Sequence, residues 1–390
     1  MSTARLPPVF VGHDIYRHAG YASHHPLGIA RVGPVMDLCD ALGWFQPGEY
    51  QTSPRATDDE LARFHDRDYI HALRDACARG KVDRDVRERY RFGTMENPLF
   101  EGLFERAATS VGGAMHAARL ALAGRIAYHP PGGTHHGRPG RASGFCYFND
   151  PVFAILTLLD AGLERVLYVD LDAHHGDAVQ DAFVHDARVF TISMHEAGRW
   201  PHTGGIHDSG DGRACNVPVP AGCNDAELAL VMDAVLRPLA TAVGPEAIVL
   251  TCGADALAGD PLTRMALSNV ALWNCATELA ALAPAAVVQG GGGYNPWTVA
   301  RYWTGLWGRL AGRSIPAELP TAARQILARL DCDLVDAEEM QACWLTTLAD
   351  PSQSACVVRP QLEQVVDTVL ARLHRACWNL PSAASVSLAH

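Results

Sequence analysis

Two acids and a histidine that follow a short apolar run have the spacing of a metal site. Residues 166–169 (VLYV) are typical of a buried parallel strand, and Asp170, Asp172 and His174 follow them. Alternate residues of an extended chain share a face, about 6.6 Å apart at ~3.3 Å per residue. Asp172 and His174 can therefore bind one ion through bonds of about 2.0–2.2 Å. The alternative is that these acids cap the next helix. It is disfavoured, because capping does not require the three acids and two histidines that lie within residues 170–177.

A third candidate ligand follows another apolar run. Asp255 comes after residues 247–252, and with Asp172 and His174 it forms a three-ligand set that leaves a position open, as in catalytic zinc sites. The two carboxylates offset the charge of Zn²⁺. Fe²⁺ also suits nitrogen and oxygen ligands, so the ligand types leave both metals open. A dinuclear site would need further bridging acids, and Asp255 has no acidic neighbour before Asp260.

The adjacent histidines His135 and His136 are candidates for proton transfer. Imidazole titrates near neutral pH, and general acid–base catalysis typically contributes ~10²–10⁴-fold in rate. Asp170 and Asp177 are candidate partners for the ring nitrogens that face away from the substrate. An isolated histidine pair is as often structural, but here the pair lies between a Pro-Gly-Gly loop and the metal motif, which favours catalysis.

Tyr294 follows four consecutive glycines, which allow the backbone to approach a ligand closely. A tyrosine hydroxyl directed at a developing oxyanion can contribute ~10²–10³-fold in rate. The alternative for Gly290, Gly291, Gly292 and Gly293 is a phosphate-binding loop. It is disfavoured because no Lys-Ser/Thr pair follows the glycines.

The elements that position these residues are apolar strand-like runs that alternate with helical patterns. This alternation predicts an α/β fold: a single domain with a central, mostly parallel sheet flanked by helices on both faces. Ligands bind at the carboxyl ends of the strands in such sheets, and each polar cluster follows a predicted strand. We assign residues 1–315 to the catalytic domain and residues 316–390 to a helical C-terminal extension packed on it.

Composition excludes several classes of function. The chain has 390 residues and a net charge of −11, which opposes a nucleic-acid-binding face. Its 11 cysteines form no C-x-x-C pair, as expected for reduced thiols in a cytoplasmic protein. We find neither a signal peptide nor an apolar stretch long enough to span a membrane, so no membrane association is expected.

Five motifs together resemble the zinc-dependent histone deacetylase family, including its bacterial acetoin-utilisation and deacetylase-like members. The similarity covers roughly residues 9–310 and implies the arginase/deacetylase fold and a bacterial source. The motifs are residues 130–137 (PPGGTHHG), 144–150 (GFCYFND), 169–177 (VDLDAHHGD), 252–255 with 259–261 (CGAD, GDP) and 290–294 (GGGGY).

The resemblance implies a role for each matching residue. One zinc ion per chain would be bound by Asp172, His174 and Asp255. His136 would act as general base and His135 mainly as an electrostatic partner, while Tyr294 would polarise the acyl carbonyl. Asp170 and Asp177 would orient the two histidines. A structural potassium ion would be held, partly by backbone oxygens, at Asp170, Asp172, His174, Ser193 and Met194.

The resemblance also implies a tunnel for an acyl-lysine. Its walls would include Gly144, Phe145, Leu262 and Trp200, the last being the best match in a loop shorter than that of many members. Glu96 stands where other members have an aspartate that holds the substrate backbone. Arg31 would lie behind the metal, where the released acid is received. Burying four lysine methylenes at ~0.8 kcal/mol each would contribute about 3 kcal/mol to binding.

The sequence therefore predicts an amidohydrolase that uses a metal to remove acetyl or other acyl groups from lysine Nε in a protein or peptide. Hydrolysis of a small acetylated amine, such as an acetylpolyamine, is the nearest alternative. A metal-stabilised interaction protein without activity is disfavoured, because every chemical position is filled. His175 is not expected to bind the metal and is assigned to packing or hydrogen bonding behind the site.

Overall fold

A parallel β-sheet of eight strands forms the centre of the protein. The computed structural model describes residues 6–18, 20–353 and 356–375. In chain order the strands are β1 (Val9–Gly12), β2 (Tyr50–Thr52), β3 (Ile126–His129), β4 (Val166–Asp170), β5 (Val189–Glu196), β6 (Ala214–Val219), β7 (Ala247–Thr251) and β8 (Ala285–Gln289).

The strand order across the sheet is β2-β1-β3-β8-β7-β4-β5-β6, and the neighbouring strands pair in parallel. In this register the last residue of β4, Asp170, lies opposite Ser193 of β5 and Thr251 of β7. Parallel neighbours end at the same edge of the sheet, so the segments that follow β3, β8, β7 and β4 meet there.

Helices cover both faces of this sheet, as the sequence predicted. In chain order they are α1 (Val32–Ala41), α2 (Asp58–Leu61), α3 (Arg67–Arg79), α4 (Arg84–Tyr90), α5 (Leu103–Leu122), α6 (Asp150–Asp160), α7 (Asp177–Phe183), α8 (Asp225–Val231), α9 (Arg237–Val243), α10 (Asn269–Ala281), α11 (Pro296–Leu310), α12 (Thr321–Leu327), α13 (Ala342–Thr346) and α14 (Pro360–Arg375). The apolar run of β4 shows how both faces are filled. Leu167 and Val169 belong to the hydrophobic cluster that includes residues of α1, α10 and α11, whereas Val166 and Tyr168 belong to the cluster that includes residues of α5, α6 and α7.

Several elements were not predicted from the sequence. Strands β2 and β6 lie at the two edges of the sheet, and the sequence predicted neither of them. Strand β5 continues to Glu196, so His195 belongs to the strand. Helices α8 and α9 are joined by a wider turn at Met232–Leu236, just before Pro238, which has no N–H to donate.

A helical C-terminal segment packs against α11. The indole Nε1 of Trp297 donates to the carbonyl of Leu327 at 3.0 Å, and the ring of Trp344 stacks on Trp297 with centroids 6.2 Å apart. Arg301 donates to the carbonyl of Thr347 at 2.7 Å. Residues 376–390 of the predicted extension lie outside the described residues. Among the described helices, none is both long and apolar enough to span a membrane.

Candidate metal centre

Four adjacent strands position the candidate residues. The histidine pair follows β3, the glycine loop with Tyr294 follows β8, Asp255 follows β7, and the acidic segment follows β4. Because these strands are neighbours in the sheet, their carboxyl ends bring residues more than 150 positions apart to one cavity. His135, His136, Asp172, His174 and Tyr294 all line this cavity.

Asp172, His174 and Asp255 form the candidate metal site. One ligand atom from each lies within 4.8 Å of the others, and all three residues are buried. His174 Nδ1 lies 2.9 Å from Asp255 Oδ2 and 3.2 Å from Asp172 Oδ1. Within the described part of the chain, no other group of three histidine, cysteine or acidic residues has this proximity.

The surroundings of the three ligands fit a divalent cation. Glycines surround the two carboxylates: a Cβ at Gly253 would lie 2.2 Å from Asp172 Oδ2, and one at Gly292 would lie 2.1 Å from Asp255 Oδ2. Burial, and then the charge of Asp172, raise the pKa of Asp255 to about 6. Two buried carboxylates this close require a compensating positive charge, and two oxygens with one imidazole nitrogen suit zinc or ferrous iron.

Each histidine of the pair is oriented by its own carboxylate. His135 Nδ1 lies 2.6 Å from Asp170 Oδ2, and His136 Nδ1 lies 2.8 Å from Asp177 Oδ1. With Nδ1 bound in this way, the Nε2 atom of each ring is directed towards the metal site. His135 Nε2 lies 3.8 Å from Asp172 Oδ1. The structure thus brings both predicted histidine–aspartate pairs to the candidate metal ligands.

The two rings differ in their electrostatic environment. Burial, and then the charge of His135, lower the pKa of His136 to about 3. Burial alone would also lower the pKa of His135, but the carboxylates of Asp170 and Asp172 outweigh it and raise this pKa to about 9. A neutral His136 can accept a proton, whereas a charged His135 acts as a cation beside it.

Two further residues hold the orienting carboxylates, and sequence reasoning did not identify them. The hydroxyl of Tyr168 donates to Asp170 Oδ2 at 2.6 Å, and Arg138 forms an ion pair with Asp177. Tyr168 lies two residues before Asp170 on the same face of β4, so the strand period would have identified it. Nothing in the sequence indicates the Arg138 contact, which joins the loop after β3 to α7.

The Tyr294 side chain lines both the cavity and its outer opening. Asp260 holds the tyrosine in place by accepting its backbone N–H at 2.8 Å. Gly291 has φ 155° and a Cβ there would lie 2.8 Å from Asp172 Oδ2, so this position requires glycine. Burial, and then the charge of Asp255, raise the pKa of Tyr294, which keeps its hydroxyl protonated as a donor.

The outer opening of the site is lined by the predicted substrate-binding residues. Gly144, Phe145, Trp200, Leu262 and Glu96 surround it together with Arg199 and His202. The ring of Phe145 lies 5.9 Å from that of Tyr294, and the ring of Trp200 lies 4.6 Å from that of His136. Trp200 therefore lies at the outer opening beside His136, and its role in substrate binding stays a prediction.

The cavity continues beyond the metal ligands into the protein. Arg31 lines this inner part, where it donates to the carbonyl of Gly291 and stacks on Trp303 at 4.8 Å. Tyr16, Tyr21 and Arg106 line it as well, and sequence reasoning did not find them. They come from the segment after β1 and from α5, so only the folded chain brings them near the site.

Two sets of candidates lie away from this cavity. His175 points behind the site, with Nδ1 2.8 Å from Thr203 Oγ1 and Nε2 3.1 Å from Gln180 Oε1. Ser193 and Met194 lie on β5, beside the end of β4, and Ser193 Oγ lies 2.9 Å from His195 Nδ1. Their assignment to a potassium site remains a prediction.

Comparisons with known sequences agree with this site. The histone deacetylase domain matches residues 25–310, which include all five motifs. Histone deacetylase 8 of Xenopus tropicalis is 36% identical over 298 residues, covering 74% of this chain and 80% of that protein. The acetoin utilization protein AcuC of Bacillus subtilis is 36% identical over 330 residues, covering 80% of this chain and 84% of that protein.

Comparisons with solved structures agree as well. The crystal structure of a histone deacetylase homologue from Aquifex aeolicus superposes with a TM-score of 0.88 at 34% sequence identity, covering 93% of this chain and 100% of that one. A homologue complexed with the compound SAHA superposes with the same TM-score of 0.88 at 33% identity.

Proposed function

Since the chain belongs to the histone deacetylase family, as its motifs predicted, we propose that it is a zinc-dependent hydrolase that removes acetyl groups from the Nε of lysine. One observation carries this proposal. Three metal ligands, two histidine–aspartate pairs and the Tyr294 side chain converge on a single cavity that opens to the surface. Each group required for amide hydrolysis is therefore within reach of one bound carbonyl.

We propose that Asp172, His174 and Asp255 hold one zinc ion per chain. Such an ion supplies Lewis acidity to the acyl carbonyl oxygen and to a water molecule. The two carboxylates balance its charge. The backbone N–H groups of Gly292 and Ala173 bind carboxylate oxygens of Asp172 and Asp255, at 2.6 and 3.1 Å, and fix their orientation. A structural potassium ion at Asp170, Asp172, His174, Ser193 and Met194 is proposed on the family resemblance.

His136 has the geometry of the general base. Its Nδ1 is held by Asp177, so its Nε2 can take a proton from the water that attacks the carbonyl carbon. When the C–N bond breaks, the same ring returns that proton to the leaving amine. His135, held by Asp170, places a positive charge beside it and favours the negatively charged intermediate.

Tyr294 contributes the hydrogen bond to the carbonyl oxygen. The bond strengthens as negative charge develops on that oxygen, which is the condition for lowering the barrier. Asp260 accepts the backbone N–H groups of both Tyr294 and Leu262, so it links the oxyanion donor to a residue of the outer opening.

The outer opening suits an extended, apolar side chain that ends in an amide. Phe145 and Trp200 present ring faces and edges close to Tyr294 and His136, and Leu262 adds an aliphatic surface. The methylenes of an acyl-lysine would contact these walls, with the amide delivered to the metal site.

The ten described cysteines are free thiols, which supports a reducing compartment such as the cytoplasm.

A substrate panel with metal analysis tests the proposal. The purified protein is analysed for bound zinc and iron, then assayed with acetyl-lysine peptides and acetylated polyamines before and after chelation. We expect peptide hydrolysis that is lost on chelation and restored by zinc. Turnover of acetylpolyamines alone would favour the small-amine alternative. Zinc binding without turnover of any acylated amine would favour an interaction protein.

A further inference from the structure

The inner cavity contains two arginines, Arg31 and Arg106, that have no acidic partner in the described part of the chain. Arg31 bonds to the carbonyl of Gly291 and stacks on Trp303, and its Nε has no hydrogen-bond partner. Arg106 donates to the carbonyls of Ile15 at 2.7 Å and His18 at 3.0 Å. Among the described residues, no carboxylate lies within 4.0 Å of either guanidinium, a distance at which ion pairs form.

Both guanidinium groups lie in surroundings that disfavour their charge. Burial lowers the pKa of Arg31 and that of Arg106. Each side chain still has accessible surface, and both line the cavity. A buried cation without a counter-ion is costly, so an anion that entered this cavity would gain from both groups.

The two arginines lie at different depths. Arg31 donates to the carbonyl of Gly291, a residue at which an added Cβ would lie 2.8 Å from Asp172 Oδ2. Arg106 donates instead to the carbonyls of Ile15 and His18, in the segment that follows β1. The ring of Tyr16 also packs under the Arg106 guanidinium, with its centroid 5.0 Å away. Arg106 therefore lies farther from the metal site than Arg31 does.

We propose that this cavity accepts acyl groups that end in a carboxylate, such as succinyl or glutaryl, and that Arg106 determines this specificity. The inference rests on the proposed function. An acyl carbonyl held at Tyr294, with the lysine chain in the outer opening, directs the rest of the acyl group inwards. Phe100 and Leu103 offer apolar surface to its methylenes. Arg106 then binds the distal carboxylate.

The reaction remains a simple hydrolysis. Water adds its oxygen to the acyl carbon, the C–N bond breaks, and the amine leaves with a proton. The products are a dicarboxylate and a lysine residue with a free Nε amine, and no oxidant or other co-reactant is required. Acetyl groups have no distal charge and would not contact Arg106.

The test compares acyl groups of equal shape and different charge. Lysine peptides carrying a succinyl group or a 4-methylpentanoyl group, whose branched end has the shape of a carboxylate, are assayed with acetyl and glutaryl peptides. We expect a higher kcat/KM for succinyl than for its neutral analogue. Arg106→Gln should lower that ratio by about tenfold or more, because a hydrogen bond to a charged group contributes about 1.5–3 kcal/mol. Arg106→Lys should retain part of the preference.

Arg119→Gln is the matched control, because Arg119 lies on the same helix with its side chain 52% exposed. Calorimetry of succinate and butyrate binding to the purified protein gives a reading independent of turnover, with succinate preferred only when Arg106 is present.

An unchanged ratio of kcat/KM for the succinyl and 4-methylpentanoyl peptides in Arg106→Gln, or preferred hydrolysis of the neutral group, would overturn the inference. The inference would also be overturned if the protein bound succinate and hydrolysed acetyl peptides but did not hydrolyse succinyl peptides. Absence of all turnover would instead count against the proposed function, and calorimetry would still report on the arginines.

Discussion

Glu96 Oε1 accepts a hydrogen bond from the backbone N–H of Gly144 at 2.8 Å. This bond fixes a turn in which both Gly144, with φ 54°, and Phe145, with φ 65°, adopt the left-handed conformation. That conformation is uncommon for phenylalanine and must be maintained by its surroundings. Tyr21 supports the same turn by donating its hydroxyl to the carbonyl of Phe145 at 3.1 Å. Glu96 thus supports the wall of the tunnel, in addition to any contact with a substrate backbone.

We expect Glu96→Ala to raise KM more than it lowers kcat, because an unsupported Phe145 no longer presents its ring to the substrate. Glu96→Gln should behave close to wild type, since the amide oxygen can still accept the Gly144 N–H. Steady-state kinetics with an acetylated simple amine, which has no peptide backbone, separates support of the Phe145 wall from binding of the substrate backbone. A wall-supporting residue matters for this substrate as well. If only peptide substrates were affected, Glu96 would act by binding the peptide backbone.

The histidine pair gives a second prediction. His136→Ala should lower kcat by ~10²–10⁴-fold, because it removes the group that transfers the proton in both directions. Asp177→Asn should produce a smaller loss, since it only releases the orientation of that ring. His175→Gln is the control, because His175 lies in the same motif but hydrogen-bonds to Thr203 and Gln180 outside the cavity. Equal losses in His136→Ala and His175→Gln would contradict the assignment.

Tyr294→Phe should separate catalysis from stability. Among the described residues, no group hydrogen-bonds to the Tyr294 hydroxyl, so its removal should leave the thermal unfolding midpoint close to that of the wild type. We expect kcat to fall by ~10²–10³-fold, because the bond to the developing oxyanion is lost. KM should change little. Tyr50→Phe serves as the control, because it removes a hydroxyl on the edge strand β2, remote from the site. If Tyr294→Phe changed KM but not kcat, Tyr294 would not stabilise the oxyanion.

Residues that follow strands were predictable from the sequence because a parallel sheet brings such positions together. Asp172 and Asp255 follow the ends of β4 and β7, which are direct neighbours, so their meeting follows from topology. Arg106 was not predictable, since it lies within a helix whose small residues indicate only close packing. Its approach to the cavity depends on how α5 crosses the sheet. Glu96 was placed at the opening by resemblance, but its bond to Gly144 depends on two loops whose conformations no strand pattern determines.

Stability should decrease at mildly acidic pH because of His65. This buried ring lies 3.0 Å from the carbonyl of Arg138 through Nδ1, and its Nε2 accepts the backbone N–H of Asn149 at 3.1 Å. The Nδ1–H tautomer satisfies both contacts, and protonation of Nε2 would break the second. Burial lowers the pKa of His65 from 6.5 to about 4. Asn149 in turn donates to the carbonyl of His135 at 3.2 Å, which connects His65 to the catalytic loop.

The direction of this effect follows from proton linkage. Below pH 6.5 the unfolded chain binds a proton at His65, whereas the folded protein does so only near pH 4. The stabilising contribution is therefore complete above pH 6.5 and decreases as the pH falls towards 4, by about 3 kcal/mol in total at 1.36 kcal/mol per pKa unit.

Urea unfolding of the wild type and His65→Gln between pH 7 and pH 4 measures this decrease in the free energy of unfolding, and the variant should show the shallower decrease. His185→Gln, which removes a histidine with an 85% exposed side chain, should keep the wild-type slope. Parallel slopes in the wild type and His65→Gln would mean that the acid sensitivity arises elsewhere in the fold.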